Sequence, residues 1–76
     1  MKLSEIIDGF VYLCLTYPTK PIESIYHTYM EFLEKKGVDP QYQYFYLLIQ
    51  VGENARESSD ICKKQILKNI TYIPKI

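Results

Sequence analysis

Two groups of helix-breaking residues divide this 76-residue chain into short segments. In "YPTKP", residues 17–21, Pro18 ends one segment because a residue before proline avoids helical geometry, and Pro21 suits the first helical position of the next. In "KGVDP", residues 36–40, Gly37 suits the left-handed residue that follows a helix. Asp39 and Pro40 then suit the N-cap and first residue of another helix. The breaks therefore predict short elements joined by short connections.

The first two segments have helical periodicity. In residues 3–17 most apolar side chains fall on one side of a helix, and Ser4 is the predicted N-cap. In residues 21–36 apolar side chains recur at i, i+3 and i+4 from Ile22 to Leu33. Gly37, followed by an apolar residue, predicts a Schellman motif at the end of this second helix.

The third segment, "QYQYFYLLIQVG" at residues 41–52, is ambiguous in its composition. Tyr, Phe, Ile and Val favour strands, and "QYQY" alternates as a strand would. The alternation fails after Tyr44, whereas Gln43 and Gln50 are seven residues apart and share one line of a helix. These features predict a helix over 40–51 that is polar along one line and buried elsewhere. Gly52 is expected to end or kink it.

A last helix is predicted over 59–71, capped by Ser58 or Ser59 and prevented from continuing by Pro74. Its predicted apolar line is Cys62, Ile66 and Ile70, with or without Ile73, while 53–58 is either a loop or an exposed helical turn. The fold class is therefore all-α: one domain, a small bundle of three to four short helices, with 72–76 as a flexible C-terminal arm.

Charge and hydropathy restrict location and partners. The net charge is zero, which argues against a dedicated nucleic-acid binder. Lys63, Lys64, Lys68 and Lys75 nevertheless follow the last acid, and form either a solvated helix face or a surface for an anionic partner. Acidic residues interrupt the apolar run that a secretory signal peptide would need near the N-terminus. No apolar run in the chain approaches the roughly 18 residues of a membrane span. The predicted location is the cytoplasm.

No residue pattern in the sequence predicts a catalytic, cofactor-binding or metal-binding site. The only histidine, His27, has glutamates four residues away on either side, a spacing typical of surface helix pairs. Cys14 and Cys62 are expected to be small buried hydrophobic residues, and a disulfide between them stays open. No phosphate-binding glycine loop and no metal-ligand spacing is present in the sequence. We therefore expect no catalytic residue, cofactor or metal, and no enzymatic activity.

Eight tyrosines are the most unusual feature of the composition. Tyr offers a large rigid contact area with a polar tip and is enriched at interfaces. Tyr26 and Tyr29 lie on the apolar stripe of the second helix and are expected in the core. The predicted partner-binding residues are Tyr12, Tyr42, Tyr44 and Tyr46. Either the third helix is central in the bundle, or its uncovered side meets another chain.

The leading functional hypothesis is a small non-enzymatic interaction or regulatory module of the inhibitor, immunity or co-chaperone type. It would bind a protein partner, or a second copy of itself as a homodimer, through the tyrosine-rich helical surface. The alternative is a nucleic-acid-binding regulator that places Lys63, Lys64 and Lys68 on phosphates.

Overall fold

The computed structural model describes residues 1–38 and 43–75, and these residues form four α-helices and no strand. The helices are α1 (Leu3–Thr16), α2 (Ile22–Lys35), α3 (Gln43–Glu57) and α4 (Asp60–Asn69). The predicted all-α class and small helical bundle are confirmed.

Two of the predicted helix ends are present in the structure. At the end of α2, Gly37 has a φ of 80°, its N–H donates to the Glu34 carbonyl at 3.0 Å, and the Val38 N–H donates to the Leu33 carbonyl at 2.9 Å. These two bonds form the Schellman motif. At the start of α4, the Ser59 hydroxyl accepts a hydrogen bond from the Cys62 N–H at 3.3 Å.

Other expected caps differ. The predicted N-cap Ser4 is wrong: α1 begins at Leu3, and Lys2 occupies the N-cap position without a side-chain hydrogen bond. Pro21 is the N-cap of α2 rather than its first helical residue. The predicted caps Asp39 and Pro40 lie outside the described residues.

The first three helices alternate in direction. The Tyr29 hydroxyl of α2 meets the Ile6 carbonyl near the start of α1, and the Tyr26 ring contacts Phe10 further along, so α1 and α2 are antiparallel. On α3, Gly52 lies beside Phe10 and Arg56 reaches the Tyr17 carbonyl. α3 therefore runs parallel to α1 and antiparallel to α2.

The predicted end of the third helix near residue 51 is wrong, because α3 continues through Gly52 to Glu57. Gly52 is buried, and a Cβ at this position would lie 2.9 Å from both Cys14 Sγ and Phe10 Cε2. Glycine is needed here because α1 and α3 approach so closely, and it does not terminate the helix. The polar residues 53–57 are consequently helical.

The core is built by α1, α2 and α3. Its fully buried side chains are Phe10, Cys14, Tyr29, Leu33 and Leu48. Burial, together with the nearby Tyr72, Asp8 and Glu5, raises the pKa of Tyr29, so its hydroxyl stays protonated and donates to the Ile6 carbonyl at 2.8 Å. The core thereby contains a satisfied polar group.

α4 lies on the outside of this three-helix core and buries none of its side chains. Its half-buried line is Lys63, Ile66 and Ile70, so the predicted line is wrong at Cys62 and at Ile73, which are both exposed. After α4 the chain crosses α1, where the Thr71 N–H and hydroxyl donate to Asp8 Oδ2 at 3.4 and 3.2 Å and Pro74 is buried. The flexibility predicted for residues 72–76 stays a prediction.

Candidate interaction surface

α3 presents a large aromatic side chain to solvent. Tyr46 is 79% exposed, and Leu47 beside it in the sequence is 37% exposed. Continuing along the helix from Tyr46 at i+4 and i+3 spacing, Gln50, Glu53 and Glu57 are also exposed. The expectation of one solvent-facing line with burial elsewhere is confirmed at Gln50, but the expectation that this line is polar throughout is wrong: it has an aromatic group at one end and acidic groups towards the other.

The Tyr46 ring is connected to the core through a series of aromatic contacts. It meets Phe45 edge-on with centroids 5.3 Å apart, and Phe45 meets Tyr26 edge-on at 4.9 Å. Tyr26 in turn contacts the fully buried Phe10 at 6.4 Å. Edge-to-face contacts of this kind favour one ring orientation. The exposed ring thus contacts one half-buried ring, Phe45, which itself packs against Tyr26.

The other predicted partner-binding tyrosines have different environments. Tyr12 and Tyr44 are half-buried and pack against the core cluster. Tyr42 lies outside the described residues. Of the predicted set, Tyr46 is therefore the described tyrosine whose ring is mostly available to a partner, and the role of all four residues stays a prediction.

The lysines predicted as anionic-partner contacts are divided between two sides of α4. Lys64 and Lys68 are exposed and, with Ile61 and Gln65, line a shallow groove on the outer face. Ile61 is 77% exposed. Lys63 lies instead on the half-buried line towards the core. The structure therefore brings two of these three ammonium groups together on one outer face.

The residues considered for chemistry are separated from one another. His27 is exposed on α2 and its ring contacts Tyr26 at 5.8 Å. The two cysteines are free, Cys14 in the core and Cys62 on the surface. Burial raises the pKa of the Cys14 thiol to about 11, against the opposing effect of the Arg56 charge, which leaves a poorly ionised thiol. Within residues 1–38 and 43–75, no three His, Cys, Asp or Glu side chains are placed to hold a metal ion.

Arg56 has a structural role that the sequence reasoning missed. Its Nε donates to the Cys14 carbonyl at 3.0 Å and its Nη2 donates to the Tyr17 carbonyl at 2.7 Å. These carbonyls end α1, which has no basic residue in its own last turn. Arg56 is the only arginine of the chain, and that rarity is the one sequence signal that could have drawn attention to it.

None of the helices in the described residues has the length and apolar character that a membrane crossing requires. Comparison with known proteins gives no match: no family model fits the chain, and no curated protein or solved structure is significantly similar to it.

Proposed function

We propose that this protein is a non-enzymatic interaction module that binds a protein partner, or a second copy of itself, through the solvent-facing side of α3. The observation that carries the proposal is the 79% exposure of Tyr46 on a helix of the bundle. Exposing an aromatic ring loses the free energy of its burial, about 1.5–3 kcal/mol for a large apolar side chain, and a partner that covers it recovers this term. Tyr is among the residues that dominate measured binding energies.

The support of the Tyr46 ring adds to the argument. The Tyr46 ring meets Phe45 edge-on, and Phe45 in turn meets Tyr26 edge-on, so the contact with Phe45 reduces the rotamer entropy that Tyr46 loses when a partner binds. The polar and acidic residues beyond it on the same side, Gln50, Glu53 and Glu57, resemble the polar rim that surrounds the apolar centre of an interface. A partner with an apolar pocket and basic groups beside it fits this surface. Inhibitor, immunity and co-chaperone proteins are the regulatory types that this proposal includes.

A photo-crosslinking amino acid at position 46 tests the proposal in the native host. We expect a defined cross-linked product, either with another protein or with a second copy of the chain. The matched control carries the same group at position 35, an exposed site on α2. Once the partner is known, Tyr46→Ser should weaken binding about tenfold or more while the circular dichroism spectrum and thermal midpoint stay unchanged. Equal products from both positions, or unchanged affinity for Tyr46→Ser, would contradict the proposal.

The alternative function, nucleic-acid binding by α4, is supported by the exposed pair Lys64 and Lys68. These like charges stand four residues apart on one helix, where they repel each other and would gain from a phosphate between them. A mixed DNA and RNA pool should then shift in a gel at low salt, and Lys64→Gln with Lys68→Gln should reduce the salt dependence of binding. A pool that does not shift excludes this alternative.

A further inference from the structure

A small cleft lies between the end of α1 and the first half of α2. Its volume is about 100 Å³. Leu13 and Ile25 form an apolar floor, and both are almost completely buried by the core behind them. The floor is rigid because it belongs to the packed core, so the cleft is present without any rearrangement.

The rim of the cleft is polar and carries one positive charge. It consists of Lys20, Ser24 and Thr28, and none of the acidic residues in the described part of the chain lines the cleft. The Lys20 Nζ lies 5.0 Å from the centroid of the Tyr17 ring, which forms one wall. The other nearby cation, Arg56, is engaged with the backbone carbonyls at the end of α1.

These polar groups are available to a ligand. Neither hydroxyl makes a hydrogen bond with another described residue, and Lys20 forms no ion pair with one. Serine and threonine inside helices often return their hydroxyl to a backbone carbonyl four residues earlier, and Ser58, directly after α3, makes the same bond to Asn54. Ser24 and Thr28, on consecutive turns of α2, leave theirs at the edge of an apolar surface. A small number of polar groups around an apolar floor is typical of ligand-binding sites.

We propose that this cleft binds a carboxylate attached to a small branched apolar group. The apolar group would cover Leu13 and Ile25, while the carboxylate would accept hydrogen bonds from the Lys20 ammonium and the hydroxyls of the rim. The volume limits the apolar part to about the size of one aliphatic side chain. A free short-chain carboxylic acid and the C-terminal residue of a peptide both have this chemistry. The inference does not depend on the α3 surface, which involves other residues.

Chemical-shift titration of the full chain, labelled with ¹⁵N, tests this inference. The first probe is 3-methylbutanoate and its matched control is 3-methylbutanamide, which has the same shape without the charge. The second probe is an N-acetylated Gly-Gly-Leu peptide, compared with its C-terminal amide. We expect saturable shifts confined to the amides around Leu13, Ser24, Ile25 and Thr28 for at least one carboxylate, with about threefold or greater preference over the corresponding amide. The probe that saturates identifies the source, a free acid or a chain terminus.

Two lysine variants separate this site from general attraction to a cationic protein. Lys20→Gln should remove the preference for the carboxylate, and because Lys20 is exposed the fold should be unaffected. Lys35→Gln, at an exposed lysine away from the cleft, should leave the preference unchanged. The proposal is overturned if neither carboxylate gives saturable shifts, if the shifts map elsewhere, or if Lys20→Gln keeps the full preference.

Discussion

Gly52 allows α1 and α3 to pack closely, because it has no Cβ. Gly52 is buried against Phe10 and Cys14, which are themselves fully buried, so neither neighbour has free space to move into. Glycine in a helix interior costs about 1 kcal/mol relative to alanine. The close approach of α1 and α3 compensates for this cost. It also brings Arg56, four residues further along α3, to the end of α1.

Gly52→Ala should therefore destabilise the protein even though alanine is the better helix former. The added Cβ would lie 2.9 Å from Cys14 Sγ and from Phe10 Cε2, and because both neighbours are fully buried we expect an overpacking cost in the upper part of the usual range, about 2–3 kcal/mol. After the gain in helix propensity, we expect a net loss of about 1–2 kcal/mol in the free energy of unfolding, measured by urea denaturation. Gln50→Ala, at an exposed position of the same helix, is the control and should change stability little. A Gly52→Ala variant as stable as the parent would show that the helices can separate without cost.

Single side chains of the candidate surface could be predicted only in part. The helical period places Tyr46, four residues before Gln50, beside the predicted polar line and Tyr44 away from it, but the period does not say whether that line faces solvent while Tyr44 packs against the core. The difference depends on which side of α3 the other helices cover, and this is a tertiary property. The cleft beside Lys20 was also invisible in the sequence, because its floor and rim come from two helices and the connection between them.

At the scale of elements, the ends of the helices were predictable where a local backbone motif determines them. Gly37 and Ser59 act through hydrogen bonds within a few residues, and the structure has both. The end of α3 was not predictable in this way, because a glycine can terminate a helix or admit a close neighbour with the same local sequence. The end of α1 differs from both, because its carbonyls accept hydrogen bonds from Arg56, a side chain distant in the sequence.

Arg56 connects two elements, and its substitution should show how strongly α3 stabilises the end of α1. Its guanidinium donates to the carbonyls of Cys14 and Tyr17, a two-point contact that a lysine ammonium reproduces poorly. We expect Arg56→Met to lower the free energy of unfolding by about 1–2 kcal/mol, and Arg56→Lys to fall between Met and the parent. Glu57→Gln, an exposed neighbour, is the control for a changed charge.

Urea denaturation of the three variants measures these differences, and amide exchange in the last turn of α1 locates them. The expected order of stability is parent, then Arg56→Lys, then Arg56→Met, with Glu57→Gln close to the parent. If Arg56→Met equals the parent in stability and in amide exchange, water hydrogen-bonds the carbonyls at the end of α1 equally well. The Arg56 hydrogen bonds then contribute nothing measurable to stability.

Considered as a whole, the molecule consists of a three-helix core and a more weakly held fourth helix. α1, α2 and α3 supply the buried hydrophobic side chains, whereas α4 supplies none. The half-buried Ile66 of α4 faces the core, where it lines an open groove together with Val11, Val51 and Ala55. Elements with few buried apolar contacts open at a lower free energy than the rest of a protein. α4 has fewer apolar residues than the helices before it, which agrees with this division.

Native-state amide exchange should therefore show α4 opening before the core unfolds. We expect amides between Lys64 and Asn69 to exchange through an opening of lower free energy than those of Phe10 and Leu13. Ser59→Ala removes the cap of α4, worth about 1 kcal/mol, and should speed exchange in α4 about fivefold while leaving α1 unchanged. Ser58→Ala is the matched control, because that hydroxyl donates to the Asn54 carbonyl of α3 and does not cap α4. If the amides of α4 and α1 exchange through openings of the same free energy, and both respond equally to Ser59→Ala, α4 belongs to the same cooperative unit as the core.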